Sequence, residues 1–159
     1  MTVEIRTLRD TADDIAVGSE LVREYVVATA AETGHDVEVI LGLVPEIRDF
    51  AGRYLRGGAF LVAEAEGQVA GGVGVTPGPG GTCDMNRLWI RPHARGLGLG
   101  RALCLASMDA ARALGFTRMA LDVVPERTTA IALYRDLGFT DTEPAHDYPF
   151  PIVPLARAL

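Results

Sequence analysis

The spacing of hydrophobic and polar positions changes several times along the chain, and each change predicts an element. Val3 and Ile5 alternate with polar neighbours, so residues 3–7 are expected to form a short strand. Asp10 or Thr11 suits the cap of a helix whose first turn carries Asp13 and Asp14, where carboxylates favour the macrodipole. Ile15, Val22, Val26 and Thr29 then fall on one face, and Gly34 is the expected stop. Pro45 suits the first position of a second, shorter helix. Phe60 to Ala65 reads as a strand, Glu66-Gly67 as a turn, and Val69, Val73 and Val75 alternate on the return, which predicts an antiparallel hairpin. The run Pro77-Gly78-Pro79-Gly80-Gly81 is a loop. A third strand of this group covers Cys83 to Arg91, and Pro92, which has no ladder donor, ends it.

A long helix begins at Gly98, with Leu103, Ala106, Ala110 and Leu114 inward, Arg101, Asp109 and Arg112 outward, and Gly115 as the stop. Met119 to Val124 is a strand ended by Pro125. Thr128 or Thr129 starts a helix carrying Ile131, Leu133, Tyr134 and Leu137, stopped by Gly138. Phe139 opens another strand, and Ile152 to Leu155 forms the last. The order β-α-α-β-β-β-α-β-α-β-β, without repeat or linker, predicts a single α/β domain over residues 1–159.

Composition narrows the classes. With 48% hydrophobic and 23% charged residues the chain is of the soluble globular type rather than disordered. No apolar run reaches the roughly 18 residues of a membrane span, and Met1-Thr2-Val3-Glu4 lacks the basic-then-apolar order of a signal peptide. A cytoplasmic protein that does not engage membranes is expected, in keeping with only two cysteines, Cys83 and Cys104. Cys104 lies in a helical apolar pattern and is expected to pack as a small hydrophobe. The net charge of -6 argues against a nucleic-acid partner and suits a cationic amine. His35, His93 and His146 are dispersed and form no ligand cluster, so no metal is expected. Ser107 lacks the strand-turn-helix context of a nucleophilic serine.

The informative stretch is Ile90-Arg91-Pro92-His93-Ala94-Arg95-Gly96-Leu97-Gly98-Leu99-Gly100-Arg101, where a strand stops, a glycine-rich turn follows and a helix begins. Glycines let backbone amides approach a ligand closely, and the first-turn amides of a helix lack partners. With the helix dipole they form an anion site suited to a diphosphate, and Arg95 and Arg101 can add charge-assisted hydrogen bonds. A plain glycine turn feeding a helix has the same spacing. A dinucleotide fingerprint requires Gly-x-Gly-x-x-Gly after the first strand of a parallel unit. Here Gly96-x-Gly98-x-Gly100 follows an antiparallel meander, and the chain has no Gly-Lys-Ser or Gly-Lys-Thr.

Arg95-x-x-Gly98-x-Gly100 resembles the Arg/Gln-x-x-Gly-x-Gly/Ala signature of the GNAT superfamily of acyl-CoA-dependent N-acetyltransferases. Leu88-Trp89-Ile90 is similar to the family's preceding strand, and Ala130 to Phe139 to its second acyl-CoA element. The likeness covers roughly residues 3 to 157. It implies an α/β (α+β) GNAT fold with a mixed, mostly antiparallel sheet split between strands four and five and flanked by helices. It implies acetyl-CoA as co-substrate in that split, its pantetheine arm on the backbone of Leu88, Trp89 and Ile90, and the Ile90 amide near the thioester oxygen. The diphosphate would lie on the amides of Gly96, Leu97, Gly98, Leu99, Gly100 and Arg101. The stretch Cys83-Asp84-Met85-Asn86-Arg87-Leu88-Trp89-Ile90 resembles the Cys-Glu-Met-Lys-Arg-Leu-Tyr-Val strand of a group of bacterial members.

Acetyl transfer sets two chemical requirements. A lysine-like amine has a pKa of about 10.4, so a proton must be removed before attack, and the departing thiolate needs a proton or a hydrogen bond. By the resemblance, Tyr134 matches the family tyrosine that points at the coenzyme sulfur. Asp84 stands at the strand position where histone-type members carry the longer glutamate base. Asn86, on the same strand face, is placed to hold a water with it. Arg127 replaces an asparagine common in the family and either reaches a phosphate or lies in solvent. The His146-Asp147-Tyr148 loop borders the acceptor side in this fold, Asp122 ends the fifth strand near the split, and His93 is expected at the surface. The expectation is an N-acetyltransferase acting by direct attack in a ternary complex, with an amine acceptor of undefined identity. A non-catalytic acyl-CoA-binding sensor and an acyltransferase acting on charged transfer RNA are the alternatives, and the resemblance admits a homodimer.

Overall fold

The computed structural model describes residues 2–159. Its elements are β1 (Val3–Thr7), α1 (Ala12–Thr33), α2 (Val37–Leu41), α3 (Phe50–Tyr54), β2 (Ala59–Ala65), β3 (Gln68–Pro77), β4 (Thr82–Ile90), α4 (Leu99–Ala113), β5 (Arg118–Val123), α5 (Thr128–Asp136), β6 (Thr140–Asp141) and β7 (Val153–Ala158). The strands form one seven-stranded sheet in the order β1-β2-β3-β4-β5-β7-β6. Every neighbouring pair is antiparallel except β4 and β5. No helix among the described residues is long and apolar enough to cross a membrane.

Alternation along the strands divides the core into two layers. Leu61, Ala63, Cys83, Met85, Met119, Leu121, Val123 and Leu155 meet Leu99, Leu103, Cys104 and Met108 of α4 and Tyr134 of α5. Phe60 and Val62 point the other way, onto Leu21, Val22 and Val26 of α1 and Phe50 and Tyr54 of α3. Each fully buried aliphatic side chain of this kind contributes about 1.5–3 kcal/mol. Cys83 and Cys104 lie free in the first layer, fully buried.

Helix boundaries follow the capping residues. Thr11 Oγ1 accepts the Asp14 amide at 3.2 Å, and Gly34, at φ 70°, ends α1. Gly98 is the residue before α4 rather than its first member, because at φ 80° it is left-handed. The buried stripe of α4 runs through Leu99, Leu103, Cys104, Ser107, Met108 and Ala111, and Leu114, expected inward, is 46% exposed in the final turn.

Three expectations are corrected. Pro45 opens only a single 3-10 turn to Ile47, flanked by two five-residue helices, α2 and α3. The chain restarts there because the Asp49 side chain accepts the Gly52 amide at 2.9 Å and caps α3. Phe139 is a core residue, and the strand after it shrinks to Thr140–Asp141, which pairs only with Ala156 and Leu155. The last strand starts at Val153 and continues to Ala158, since it pairs with the whole of β5.

Two register shifts shape the sheet. Between β2 and β3, Ala70 is the extra residue, so Val69 packs against the α1 layer while Val73 and Val75 face α4; the regular alternation expected of these valines is broken. Between β3 and β4, Gly74 pairs with Asn86 but Gly72 with Trp89, which leaves Arg87 and Leu88 opposite one residue. Arg87 takes φ 56°, a left-handed value for a non-glycine residue. The bulge exchanges the faces: Met85 looks to α4 before it, Leu88 and Ile90 after it. β4 has already left β5 before this bulge. The two pair only over Thr82–Asp84 and Arg118–Ala120, so six of β4's nine residues have no strand on their β5 edge.

Candidate active site

The opening between β4 and β5 is a cleft of about 690 Å³. Its walls include Leu88, Trp89 and Ile90 of β4, the turn from Arg95 to Arg101, and Arg127 to Ala130 at the start of α5. The Arg91 amide donates to Ala70 O at 2.8 Å, so in an antiparallel ladder the Ile90 amide and carbonyl point away from β3, into the cleft. Arg95 Nε takes that carbonyl at 3.0 Å, and its guanidinium stacks over Trp89 at 4.8 Å. The Trp89 Nε1 donates to Glu24 at 3.1 Å, which ties this end of β4 to α1.

The turn is a built anion cradle. From Gly96 to Arg101 no backbone amide has an acceptor among the described residues; the first to find one is Ala102, on Gly98 O at 3.1 Å. Gly96 and Gly98 both take φ 80°, and no atom stands within 4 Å of where a Cβ would project from either. A diphosphate fits these residues: donors converge, side chains are absent and the α4 dipole is favourable. Arg101 lines the cleft and pairs with Asp136. Leu97 turns its side chain to solvent, so only its amide belongs to the cradle.

Arg127 lines the cleft and is not in solvent. Its Nε donates to Glu32 at 2.7 Å, its Nη2 to Thr29 at 2.8 Å, and it stacks over Tyr25 at 4.4 Å. Those bonds fasten α5 to α1 and leave Nη1 without a partner among the described residues. Asn86 is likewise committed. It lies 2.7 Å from the Tyr54 hydroxyl and donates to Thr76 at 3.0 Å, which fixes its side chain at the wall of the small cavity.

Beyond Arg127 the split narrows to a cavity of about 30 Å³ bounded by Tyr134, Arg87, Tyr25 and Asp122. Tyr134 is 6% exposed, and its hydroxyl has no partner among the described residues. Burial pushes this phenol well above its ordinary value, with Cys104 and Tyr25 adding to the shift, so it stays protonated and able to donate. Burial also raises the thiols, Cys104 to about 12 and Cys83 to about 11, which leaves both neutral and unsuited to nucleophilic attack.

On the α1 side of the sheet, Asp84 pairs in register with Ala120, and Asp122 lies two residues farther on the same face. His146 Nε2 is 3.3 Å from Asp84 Oδ2, and the Tyr148 hydroxyl donates to Asp122 Oδ2 at 3.3 Å. The protein partner of Asp122 is thus a tyrosine. Burial raises its carboxyl above the ordinary carboxylate value, opposed by His146 and the Tyr148 bond and aided by the like charge of Asp84. Asp122 lines the cavity, and Asp84 is not among its walls. His93 is exposed, as expected.

Sequence reading missed Glu46, which is 1% exposed. Its carboxylate meets Arg87 Nε at 2.8 Å and the Tyr54 hydroxyl at 2.5 Å. Burial works against the Arg87 charge, but Tyr54 and Glu46 outweigh it and hold the guanidinium ionised. A glutamate between proline and isoleucine carries no signal of this role. Among the described residues no group of three potential ligands could hold a metal.

A fold of this kind, with a split sheet and an amide cradle at its mouth, defines an acyl-CoA transferase scaffold. The model of the Acetyltransferase (GNAT) family matches residues 19–139, and the chain belongs to that family. It is 40% identical over 102 residues to an uncharacterised N-acetyltransferase of Schizosaccharomyces pombe, covering 63% of each chain. It is 41% identical over 86 residues to the uncharacterised N-acetyltransferase YjgM of Escherichia coli, covering 52% of each. These two matches span less than two thirds of either relative's length. A third, to the IAA acetyltransferase of Azospirillum brasilense, has 35% identity over 119 residues, 74% of this chain and 71% of the other. Among solved structures, the paiA N-acetyltransferase of Thermoplasma acidophilum in complex with coenzyme A superposes over 100% of both chains with a TM-score of 0.77 at 20% identity. The yncA protein of Salmonella typhimurium, solved with acetyl-CoA, gives 0.72 at 23% identity, covering 99% of this chain and 94% of that one. At these identities the structural likenesses establish the fold.

Proposed function

We propose that this protein transfers an acetyl group from acetyl-CoA to an amine by direct attack within a ternary complex. The observation that carries the reading is a pair of adjoining cavities sharing Leu88, Arg127 and Ala130, one walled by the turn from Gly96 to Arg101 with its unpartnered amides and the other ending on the buried, unpartnered phenol of Tyr134. The named relatives and the coenzyme-bound neighbours support it. Bound acetyl-CoA supplies an activated acyl group. The cradle amides and Arg101 hold its diphosphate, the β4 edge at Leu88 to Ile90 orients its arm, and the Ile90 amide faces the thioester oxygen.

The acceptor enters from the α1 side as an ammonium ion. Asp122 takes one proton, and the adjoining Asp84 and His146 pass it to solvent. A carboxylate raised by burial is a better base than a free one. The neutral nitrogen then bonds to the thioester carbonyl carbon as the carbon–sulfur bond breaks. The sulfur leaves with the bonding pair and, in the end, the second ammonium proton. Tyr134 stabilises the departing sulfur by hydrogen bonding. A free phenol already lies about 1.5 pH units above a thiol, and burial widens that gap, so net proton donation by Tyr134 is uphill. Neutral, buried cysteines disfavour an acyl-cysteine route.

Calorimetry with acetyl-CoA, followed by thiol release with a panel of amines, tests the reading. Binding with turnover supports it. Binding without turnover by any amine points to the sensor, and absence of binding overturns both.

A further inference from the structure

The acceptor side carries charges of both signs. Two small cavities, of about 40 and 30 Å³, share Tyr25, Arg87 and Asp122. The first has apolar walls from Ile40, Leu43, Val44, Val124, Phe150 and Ile152. The second ends on the Tyr134 phenol. Asp122 supplies a carboxylate whose protein partner is the Tyr148 hydroxyl. Arg87 supplies a guanidinium whose side chain is only 13% exposed. Its Nε and Nη2 are directed to Glu46 and Leu43 O, while its Nη1 has no partner among the described residues.

The Arg87 guanidinium is not fully hydrogen-bonded within the cluster. Glu46 accepts from its Nε and Nη2, so the Nη1 edge is left without a protein partner in cavities that Arg87 lines together with Asp122. A simple alkylamine would satisfy Asp122 and leave the Arg87 edge desolvated and unpaired, which is costly. An anion with no amine would leave Asp122 in the same position. A molecule bearing an ammonium and a carboxylate a short distance apart answers both, and an apolar side chain fills the aliphatic walls.

Resting on the acetyl-transfer reading, we propose that the acceptor is a free α-amino acid with an apolar side chain, its carboxylate held by Arg87 and its amine presented past Asp122 to the cleft above Tyr134. Attack follows the steps already written: the α-amine loses one proton, bonds to the acyl carbon and displaces the thiolate, giving an N-acetylamino acid and free thiol.

Because Arg87 also supports the fold, the test varies the acceptor and keeps the full-length wild-type protein. L-Leucine, L-methionine and L-phenylalanine are each compared with their methyl esters and with the amines left by decarboxylation. Thiol release and product mass are followed with acetyl-CoA, and calorimetric binding of the same compounds is measured with coenzyme A present. The expected result is kcat/KM lower by about tenfold to a hundredfold for ester and amine than for the free acid, with binding weakened in parallel, as loss of a charged hydrogen bond requires. Esters or simple amines that match the free acids overturn the inference and leave the acetyltransferase reading standing. So does acetyl-CoA binding with none of the free acids turned over or bound. If acetyl-CoA itself does not bind, the underlying reading falls and this inference with it.

Discussion

The cradle can be tested with one methyl group. Gly98 stands at φ 80° at the start of α4 with open space where a Cβ would lie. Replacing it by alanine costs about 1–2 kcal/mol of left-handed strain, offset by about 0.4–1 kcal/mol from the stiffer unfolded chain. The net is about 1 kcal/mol, or roughly 2–4 °C in Tm for a chain of this size. The methyl would project where a diphosphate must sit on the amides. Losing one charge-assisted hydrogen bond weakens binding by about 1.5–3 kcal/mol, roughly 10- to 100-fold in Kd. Gly67 is the control. It takes φ 75° in the β2–β3 hairpin turn, is equally open and lies outside the cleft. Gly67→Ala should lower Tm by a similar amount and leave coenzyme A affinity unchanged. Thermal unfolding and calorimetric titration of both variants measure the two effects. A Gly98→Ala protein that binds coenzyme A as tightly as the wild type, while losing the same stability as Gly67→Ala, would falsify the cradle.

Other substitutions separate chemistry from stability. Tyr134→Phe should lower kcat by about tenfold to a hundredfold with little change in coenzyme affinity, if loss of the hydrogen bond to the developing thiolate is worth about 1.5–3 kcal/mol; unchanged turnover refutes the role. Glu46→Ala leaves the Arg87 guanidinium buried without its carboxylate, and should cost about 3–5 kcal/mol in urea unfolding. Asp122→Asn acts in the opposite direction. The folded state raises this pKa, so the wild type is favoured only below the unfolded value and loses that advantage as pH rises through the folded one. The variant should therefore be the more stable protein at pH 7, and the difference should vanish below about pH 3.9. Unfolding curves across that range check the sign, and a variant destabilised at pH 7 contradicts it.

Parts of the site with local causes were legible in the sequence. Gly34, Gly98 and Gly115 punctuate helices because only glycine takes φ above zero without strain, and all three do so in the structure. The cradle is one contiguous segment, so its residues could be named together. The proposed acceptor side was legible only in part: Asp84, Asp122 and the His146–Tyr148 loop were placed near it, whereas Tyr25, Glu46 and Arg87 come from α1, the Pro45 turn and β4 and carry no local signal. The bonds of Arg127 to Glu32 and Thr29 were not legible because those partners lie on α1, nearly a hundred residues earlier in the chain. Both sheet bulges were invisible for a related reason. Ala70 and Arg87 are not bulge-forming residue types, and period-two counting assumes that no residue is extra.

Arg87 shows why an unfavourable residue can hold such a position. A glycine would take φ 56° at no steric cost, whereas arginine stores about 1–2 kcal/mol there. The strain is outweighed because the bend delivers the guanidinium to Glu46 beneath the sheet, where the buried carboxylate would otherwise have only Arg53, at 3.9 Å, as a counter-charge. The register shift there also turns Leu88 and Ile90 toward the α4 layer, on the stretch of β4 that has left β5 and lines the cleft. The same side chain then forms one wall of the cavities proposed for the acceptor. Shaping the β4 edge of the cleft and charging the proposed acceptor side are therefore one structural event. A substitution at Arg87 should alter both affinities together, whereas one at Gly98 should alter only the first.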